Sequence, residues 1–302
     1  MGYLNRILVY SHKDPCVKPF LEKISRYIQE PEAMGMPYWV FVNNSDPLGV
    51  VAVGREPVRL LAPPGTPMAI ISLTDPKQPG ETIVSFIKES LRLSAGENVQ
   101  YALTRLSSTE VEALNLLKRC GFEDFDDCYQ MVCSLNESLK PSGELRFRVV
   151  KREEARQYLS IAENFLQGSP DIQITETLKH LAGLPEQFLD LYNSRENFYY
   201  AFDGEQTVGI LSLNLRNGVV SNVAVDPKLR GRGYGRQVML FALEQLRRNG
   251  CQQAYLRVHV GNIPAFRLYE SLGFIVAERY ATLIWRRKNK GSFKTGASLL
   301  SK

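Results

Sequence analysis

The stretch Val219-Val220-Ser221-Asn222-Val223-Ala224-Val225-Asp226-Pro227-Lys228-Leu229-Arg230-Gly231-Arg232-Gly233-Tyr234-Gly235-Arg236 decides how this chain reads. Val219, Val220, Val223 and Val225 predict a buried strand, Asp226-Pro227 stops it, and Val238 to Leu246 predicts a helix. Glycines between a strand and a helix let the main chain come close to a ligand. The first amides of the helix have no intrahelical acceptor, so they point outward as donors. Such a turn is an anion cradle. Lys228, Arg230, Arg232 and Arg236 ring it with positive charge, which favours phosphate over a lone carboxylate. Two nucleotide-binding patterns are excluded by spacing: the glycines fall G-x-G-x-G rather than G-x-G-x-x-G, and no Gly-Lys-Ser/Thr is present here.

Downstream, Gln253 to Val260 predicts a second strand, followed by Asn262-x-x-Ala265-x-x-Leu268-Tyr269-x-x-x-Gly273-Phe274. Together with Arg230-x-x-Gly233-x-Gly235 after a strand ending at Pro227, this order resembles the GNAT N-acetyltransferase superfamily. The resemblance implies an α/β (α+β) fold in which a mixed, mostly antiparallel sheet is flanked by helices and a central parallel strand pair splays to admit acetyl-CoA. It further implies that main-chain groups of Val223, Ala224 and Val225 hold the pantetheine arm. Amides from Gly231 to Arg236 (Gly231, Arg232, Gly233, Tyr234, Gly235, Arg236), with Arg230 beside them, would hold the pyrophosphate. Asn262 would lie beside the pantetheine and Tyr269 beside the sulfur. Acetyl-CoA is the expected co-substrate, with no metal.

Acetyl transfer to an amine requires a neutral amine, a stabilised oxyanion and a proton for the leaving thiolate. A phenol near pKa ~10 stays protonated at neutral pH and can hydrogen-bond a sulfur whose conjugate acid lies near ~8.5. Tyr269 is the expected donor, although Ala265, Leu268, Tyr269 and Leu272 also share a helical face and would pack together. Asn262 stands ahead of Pro264 where a helix N-cap belongs, a place compatible with cofactor contact. The general base is not evident. Where many members of the superfamily carry a glutamate, this chain has Ser221-Asn222, which leaves water, His259 or a group outside the motifs. His259 alone reads first as a hydrogen-bonded strand histidine, and Glu205 as a solvated turn residue. The expected activity is transfer from acetyl-CoA to a primary amine of a small molecule or peptide by direct attack. The alternative is a non-catalytic acetyl-CoA-binding regulator or scaffold.

Bulk properties bound the reading. The chain has 302 residues, 44% hydrophobic and 23% charged, which suits a globular protein of two domains. The net charge of +5 is concentrated at one end. Residues 286–302 hold six Lys or Arg and no acid, leaving 31 of the 37 basic residues against 32 acidic ones in the body. The expectation is a flexible basic tail and no nucleic-acid partner. No apolar run reaches membrane-span length and the start shows no signal-peptide core, so no membrane partner and a cytoplasmic location are expected. The five cysteines are odd in number, and Cys128-x4-Cys133 lacks a second pair, so reduced thiols are expected. Oligomeric state has no signal.

The order of elements repeats. The strand Arg6 to Tyr10 leads to a helix capped by Asp14-Pro15 with apolar Val17, Phe20, Leu21, Ile24 and Ile28. A hairpin follows around Asn43-Asn44-Ser45-Asp46-Pro47, then a strand Ala69 to Leu73, a helix Thr82 to Leu91, a strand Val99 to Thr104, a helix Glu110 to Arg119 and a strand Tyr129 to Leu135. The second half predicts a strand Leu145 to Val150, a helical face of Ala155, Leu159, Ala162 and Phe165, and a second helical region through Leu178, Leu181, Phe188 and Leu191. A hairpin around Asp203-Gly204, the motif region and a final strand Arg279 to Trp285 complete it. Gly121-Phe122 and Gly273-Phe274 are offset by 152, Asp75-Pro76 and Asp226-Pro227 by 151, Ala113 and Ala265 by 152. This argues a duplication: two tandem GNAT-like domains at 1–140 and 145–286, a linker near Pro141-Ser142-Gly143, and a tail at 287–302. The first copy offers Pro79-Gly80-Glu81-Thr82 for the cradle, Glu110 for Asn262 and Leu117 for Tyr269. It is expected to be structural or a wall on the substrate side.

Overall fold

The computed structural model describes residues 7–56, 61–135 and 143–288, less 173, 176–182, 184–185, 187–188, 191–193 and 195. The predicted helical positions Leu178, Leu181, Phe188 and Leu191, most of the linker and nearly all of the basic tail lie outside the described residues. The first half runs β1 (Leu8–Ser11), α1 (Leu21–Ala33), β2 (Tyr38–Asn43), β3 (Asp46–Arg55), β4 (Pro67–Leu73), α2 (Gly80–Gly96), β5 (Tyr101–Ser107), α3 (Val111–Arg119) and β6 (Glu123–Ser134). The second runs β7 (Arg146–Val149), α4 (Ala155–Leu166), β8 (Asn197–Asp203), β9 (Gln206–Asn214), β10 (Val219–Val225), α5 (Tyr234–Arg248), β11 (Gln253–His259), α6 (Ile263–Glu270) and β12 (Ile275–Arg286).

Local chemistry sets several boundaries. Asp14 accepts a hydrogen bond from the Cys16 N–H at 2.9 Å and starts a 3-10 turn that runs into α1. The first hairpin is tighter than its sequence suggests. Asn44 and Ser45 both adopt positive φ, so two residues suffice and the strands extend into the expected loop. In α5, Val238, Met239, Ala242, Leu243 and Leu246 recur at helical spacing, are fully buried, and share a core with Val208, Leu211, Val220 and Leu256 of the sheet.

The duplication is visible in the strand starts. β4 and β10 begin at residues 67 and 219, β5 and β11 at 101 and 253, and β6 and β12 at 123 and 275, a difference of 152 each time. In each half the parallel pair separates early. β4 and β5 are paired only at Met68–Ile70 with Tyr101–Leu103, and β10 and β11 only at Val219 with Tyr255. All twelve strands form one sheet in the order β1-β2-β3-β4-β5-β12-β6-β11-β10-β9-β8-β7. α2 and α3 cover one face of the first half and α5 and α6 that of the second, while α1 and α4 lie on the other face.

The order contains an exchange that the sequence does not announce. β6, encoded in the first half, pairs with β11 from Gln253↔Ser134 to His259↔Cys128, and β12 pairs with β5 from Tyr280↔Ser107 to Arg286↔Tyr101. The last strand of each half therefore completes the other's ladder, and the two exchanged strands pair with each other. β6 also starts six residues before the expected Tyr129. Its acidic opening reads as a loop, but Lys118 meets Asp124 at 2.8 Å and Arg279 pairs with Asp127. Cys128 and Cys133 lie five apart on this strand and so face opposite sides of the sheet, which rules out a shared metal or disulfide between them. All five cysteines are free. No helix among the described residues is long and apolar enough to cross a membrane.

The exchange makes a prediction. With a protease site introduced in residues 136–142 and cut, the halves should remain associated on gel filtration in native buffer and separate only in denaturant. Free halves after native cleavage would contradict the shared ladders.

Candidate functional site

β10 is held on one side only. Its ladder with β9 breaks between Ser221 and Ala224, where Asn222 takes φ +50°, a conformation asparagine tolerates better than most residues. Beyond Val219 the other edge pairs with no strand among the described residues, which opens a cleft between β10 and β11. The chain then makes a 3-10 turn capped by the Asp226 carboxylate and enters the glycine loop. Gly231 and Gly233 have φ +80° and +82°, and a side chain added at either would meet open space, so backbone conformation requires glycine there. Main-chain N–H groups of Gly231, Arg232, Gly233, Tyr234 and Gly235 have no acceptor among the described residues. They are the free donors expected at a helix start, aligned with the positive end of the α5 dipole.

The loop is tied down from three directions. The Arg230 guanidinium donates to the Phe165 carbonyl at 2.7 Å, at the carbonyl end of α4. The Tyr234 hydroxyl donates to Asp203 in the β8–β9 turn, which raises the phenol's pKa. Arg236 donates to the Ser271 hydroxyl at 3.1 Å, just past α6. Two side chains read from sequence as charges for a ligand thus also act as struts, because helix ends carry carbonyl groups that need donors. Arg232 and Lys228 are exposed beside the loop.

Gly235 has a different role. A Cβ there would lie 3.2 Å from Leu268 Cδ2, so its absence lets α5 and α6 come together. Asn262 caps α6, its side chain accepting from the Ala265 N–H at 3.4 Å. On α6, Tyr269 is 8% exposed, lies 5.9 Å from the Phe274 ring, and its hydroxyl has no hydrogen-bond partner among the described residues. Burial pushes its pKa up to about 12. Val223 packs on the α5 core, Ala224 on the α4 side, and the Val225 carbonyl lies 3.4 Å from Arg230 Nε.

The first copy cannot repeat this geometry. Gly80 does not have positive φ, Pro79 offers no side-chain cap to α2, and Leu117 is buried where Tyr269 stands in the second copy. Glu110 keeps the backbone conformation of Asn262 (φ −83° against −87°) without capping the helix.

His259 is held between two neighbours. Its Nδ1 accepts the Gly261 N–H at 3.0 Å, which puts the ring proton on Nε2, 3.7 Å from Asp126 Oδ1. Around it is a cluster that sequence reading missed. Arg257 lies 3.8 Å from Asp126 and 3.0 Å from Asp171, and the Cys128 thiol donates to Asp126 at 3.1 Å. Asp126, Cys128 and Asp171 bring three potential ligand atoms within 4.8 Å of one another, yet a guanidinium already pairs with both carboxylates, and burial pushes the thiol pKa up. That chemistry suits an ion-pair lock better than a metal. No sequence signal pointed to it, because it depends on β6 pairing with β11 across the two halves. Beside the cluster, a cavity of about 830 Å³ runs along the α1 and α4 face of the sheet. Tyr101 and Arg105 of β5, Tyr280 of β12, Cys128 of β6 and Arg257 of β11 line it, so both halves form its walls. Glu205 is exposed in its turn.

Comparisons with known proteins bear on the family and the fold. Residues 167–274 match the model of the Acetyltransferase (GNAT) family. The chain is 51% identical over 57 residues to a mycothiol acetyltransferase of Thermobispora bispora, covering 19% of each. It is 34% identical over 89 residues to a [ribosomal protein bS18]-alanine N-acetyltransferase of Salmonella typhimurium, covering 30% of this chain and 56% of that one. These matches span less than two thirds of the relatives' lengths. Among solved structures, a tandem GNAT protein from the clavulanic acid biosynthesis pathway superposes with a TM-score of 0.62 at 13% identity, over 95% of this chain and all (100%) of the other. A GCN5-related N-acetyltransferase from Sphaerobacter thermophilus gives 0.59 at 15% identity, over 82% and 80%. Residues 167–274 thus match the Acetyltransferase (GNAT) family, and over 95% of its length the chain shares the fold of a tandem GNAT protein.

Proposed function

We propose that the second half transfers the acetyl group of acetyl-CoA to a primary amine of a small molecule or peptide by direct attack, with the first half forming one wall of the acceptor space. The observation that carries this reading is the run of unpaired main-chain donors at residues 231–235, packed through Gly235 and Leu268 against the helix that bears the buried phenol of Tyr269. The amides of the loop bind the diphosphate of the co-substrate, and the open edge of Val223 to Val225 orients its arm. Tyr269, held protonated by burial, donates to the departing sulfur. The cavity on the α1 and α4 face gives the acceptor an approach from the side opposite α5 and α6. One relative is named for mycothiol and another for an alanine of a ribosomal protein, so the matched residues do not fix the acceptor.

Thiol release from acetyl-CoA, followed over a panel of primary amines and peptides, tests the reading. Acceptor-dependent release is expected, whereas tight acetyl-CoA binding with none across the panel would favour a regulator. Tyr269→Phe should lower kcat by about 100-fold, with acetyl-CoA affinity by calorimetry unchanged. Equal turnover would remove Tyr269 from the mechanism. Gly233→Ala introduces a side chain at φ +82°. At roughly 1–2 kcal/mol of backbone strain, calorimetry should show acetyl-CoA bound about tenfold more weakly. Gly80→Ala, in the copy without the cradle, should leave that affinity unaltered.

A further inference from the structure

On the α4 side of β10 stands a chain of polar groups that no motif marks. Asn222, in the bulge of β10, donates its side-chain N–H to Ser212 Oγ at 3.2 Å. Ser212, fully buried on β9, in turn hydrogen-bonds the carboxyl group of Glu196, one residue before β8. Since Ser212 Oγ accepts from the amide, its own hydrogen goes to the carboxylate. The other carboxyl oxygen, Oε2, is buried with no hydrogen-bond partner among the described residues. A buried polar atom left unpaired calls for an explanation.

Strand alternation gives its direction. Phe198, Tyr200 and Ile210 pack on the α4 side, while Tyr199, Leu211 and Leu213 pack under α5. Period two therefore puts Glu196 and Ser212 on the α4 side, the face along which the cavity runs. Adjacent strands lie about 4.8 Å apart, so the open edge of β10 is about two strand spacings from β8, a distance that a glutamate side chain and one water span.

We propose that Glu196 is the general base of the transfer, taking a proton from the incoming ammonium on the α4 side of the cleft. This rests on the acetyl-transfer reading above. Glu196 removes one proton from R–NH3+, and the freed lone pair forms the C–N bond at the acetyl carbon as the C–S bond breaks. Tyr269 gives its proton to the thiolate and is restored by the second N–H proton, and Glu196 returns its own to solvent. Burial raises the pKa of Glu196 above the usual glutamate value, which strengthens it as a proton acceptor, and the Ser212 bond acts in the opposite direction. β9 and β10 carry no charged side chain. Among the described residues, the titratable groups on the other elements of this face are Tyr158 of α4, Tyr200 of β8 with Arg148 and Glu154 beside it, and, across the cleft, Asp171, Arg257 and His259.

The test is kcat/KM against pH in the full chain, at saturating acetyl-CoA, with the amine turned over fastest in the panel. In the wild type the rate should rise through an acid limb above the ordinary glutamate value of 4.5. Glu196→Gln should abolish that limb and lower the neutral-pH rate by about 100-fold, with acetyl-CoA affinity unchanged. Ser212→Ala, which removes a bond favouring the carboxylate, should move the limb to higher pH, and this arm decides if the glutamine variant does not fold. An unaltered limb in either variant, with the wild type active, overturns the base and leaves the transferase reading intact. A wild type that binds acetyl-CoA but acetylates nothing removes both.

Discussion

Once Val219 has paired with Tyr255, β10 and β11 give up the hydrogen bonds that a parallel ladder would supply, and the site follows from how both strands persist without them. Each is secured on its far edge, β10 by β9 and β11 by seven register pairs with β6. Main-chain groups left between them would be costly if they were shut away from water and ligand alike. The cleft is thus both the weak seam of the sheet and a place where peptide-like groups of a ligand find partners.

What keeps that seam from widening comes from outside the second half. β6 is encoded before the linker, yet it supplies the edge against which β11 is held, and its Asp126 and Cys128 meet Arg257 and His259 across the ladder. A buried ion pair adds little net stability but strongly penalises rearrangement, since separating the charges would leave one buried alone. The cluster therefore fixes the register of β11 and, with it, the far wall of the cleft.

Much of this was legible in the residues. The three landmarks spaced 151 or 152 apart anticipated strand starts that differ by 152, and the glycine loop lies between strand and helix where the residues put it. Regular patterns with local causes are the kind a sequence displays. What stayed hidden depends on distant partners. The start of β6 carries Glu123, Asp124, Asp126 and Asp127, which read as a solvated loop until Lys118, Arg257 and Arg279 are brought beside them. That Arg230 and Arg236 also brace the loop was not legible, because nothing nearby in sequence revealed the carbonyl and hydroxyl groups they meet. Glu196 had no motif around it, and only the alternation of two strands shows which side it faces.

The crossing of β6 and β12 divides the first copy into parts that answer to different demands. In residues 80–117 the positions matching the cradle, Asn262 and Tyr269 hold Glu81, Glu110 and Leu117, so the segment answers to its own core alone. Residues 123–134 answer to both halves, because they pair with β11 on one edge and β12 on the other. A map of tolerated substitutions along this chain would therefore show its boundary of permissiveness inside the first repeat, near Gly121, well ahead of the place where the repeat itself ends.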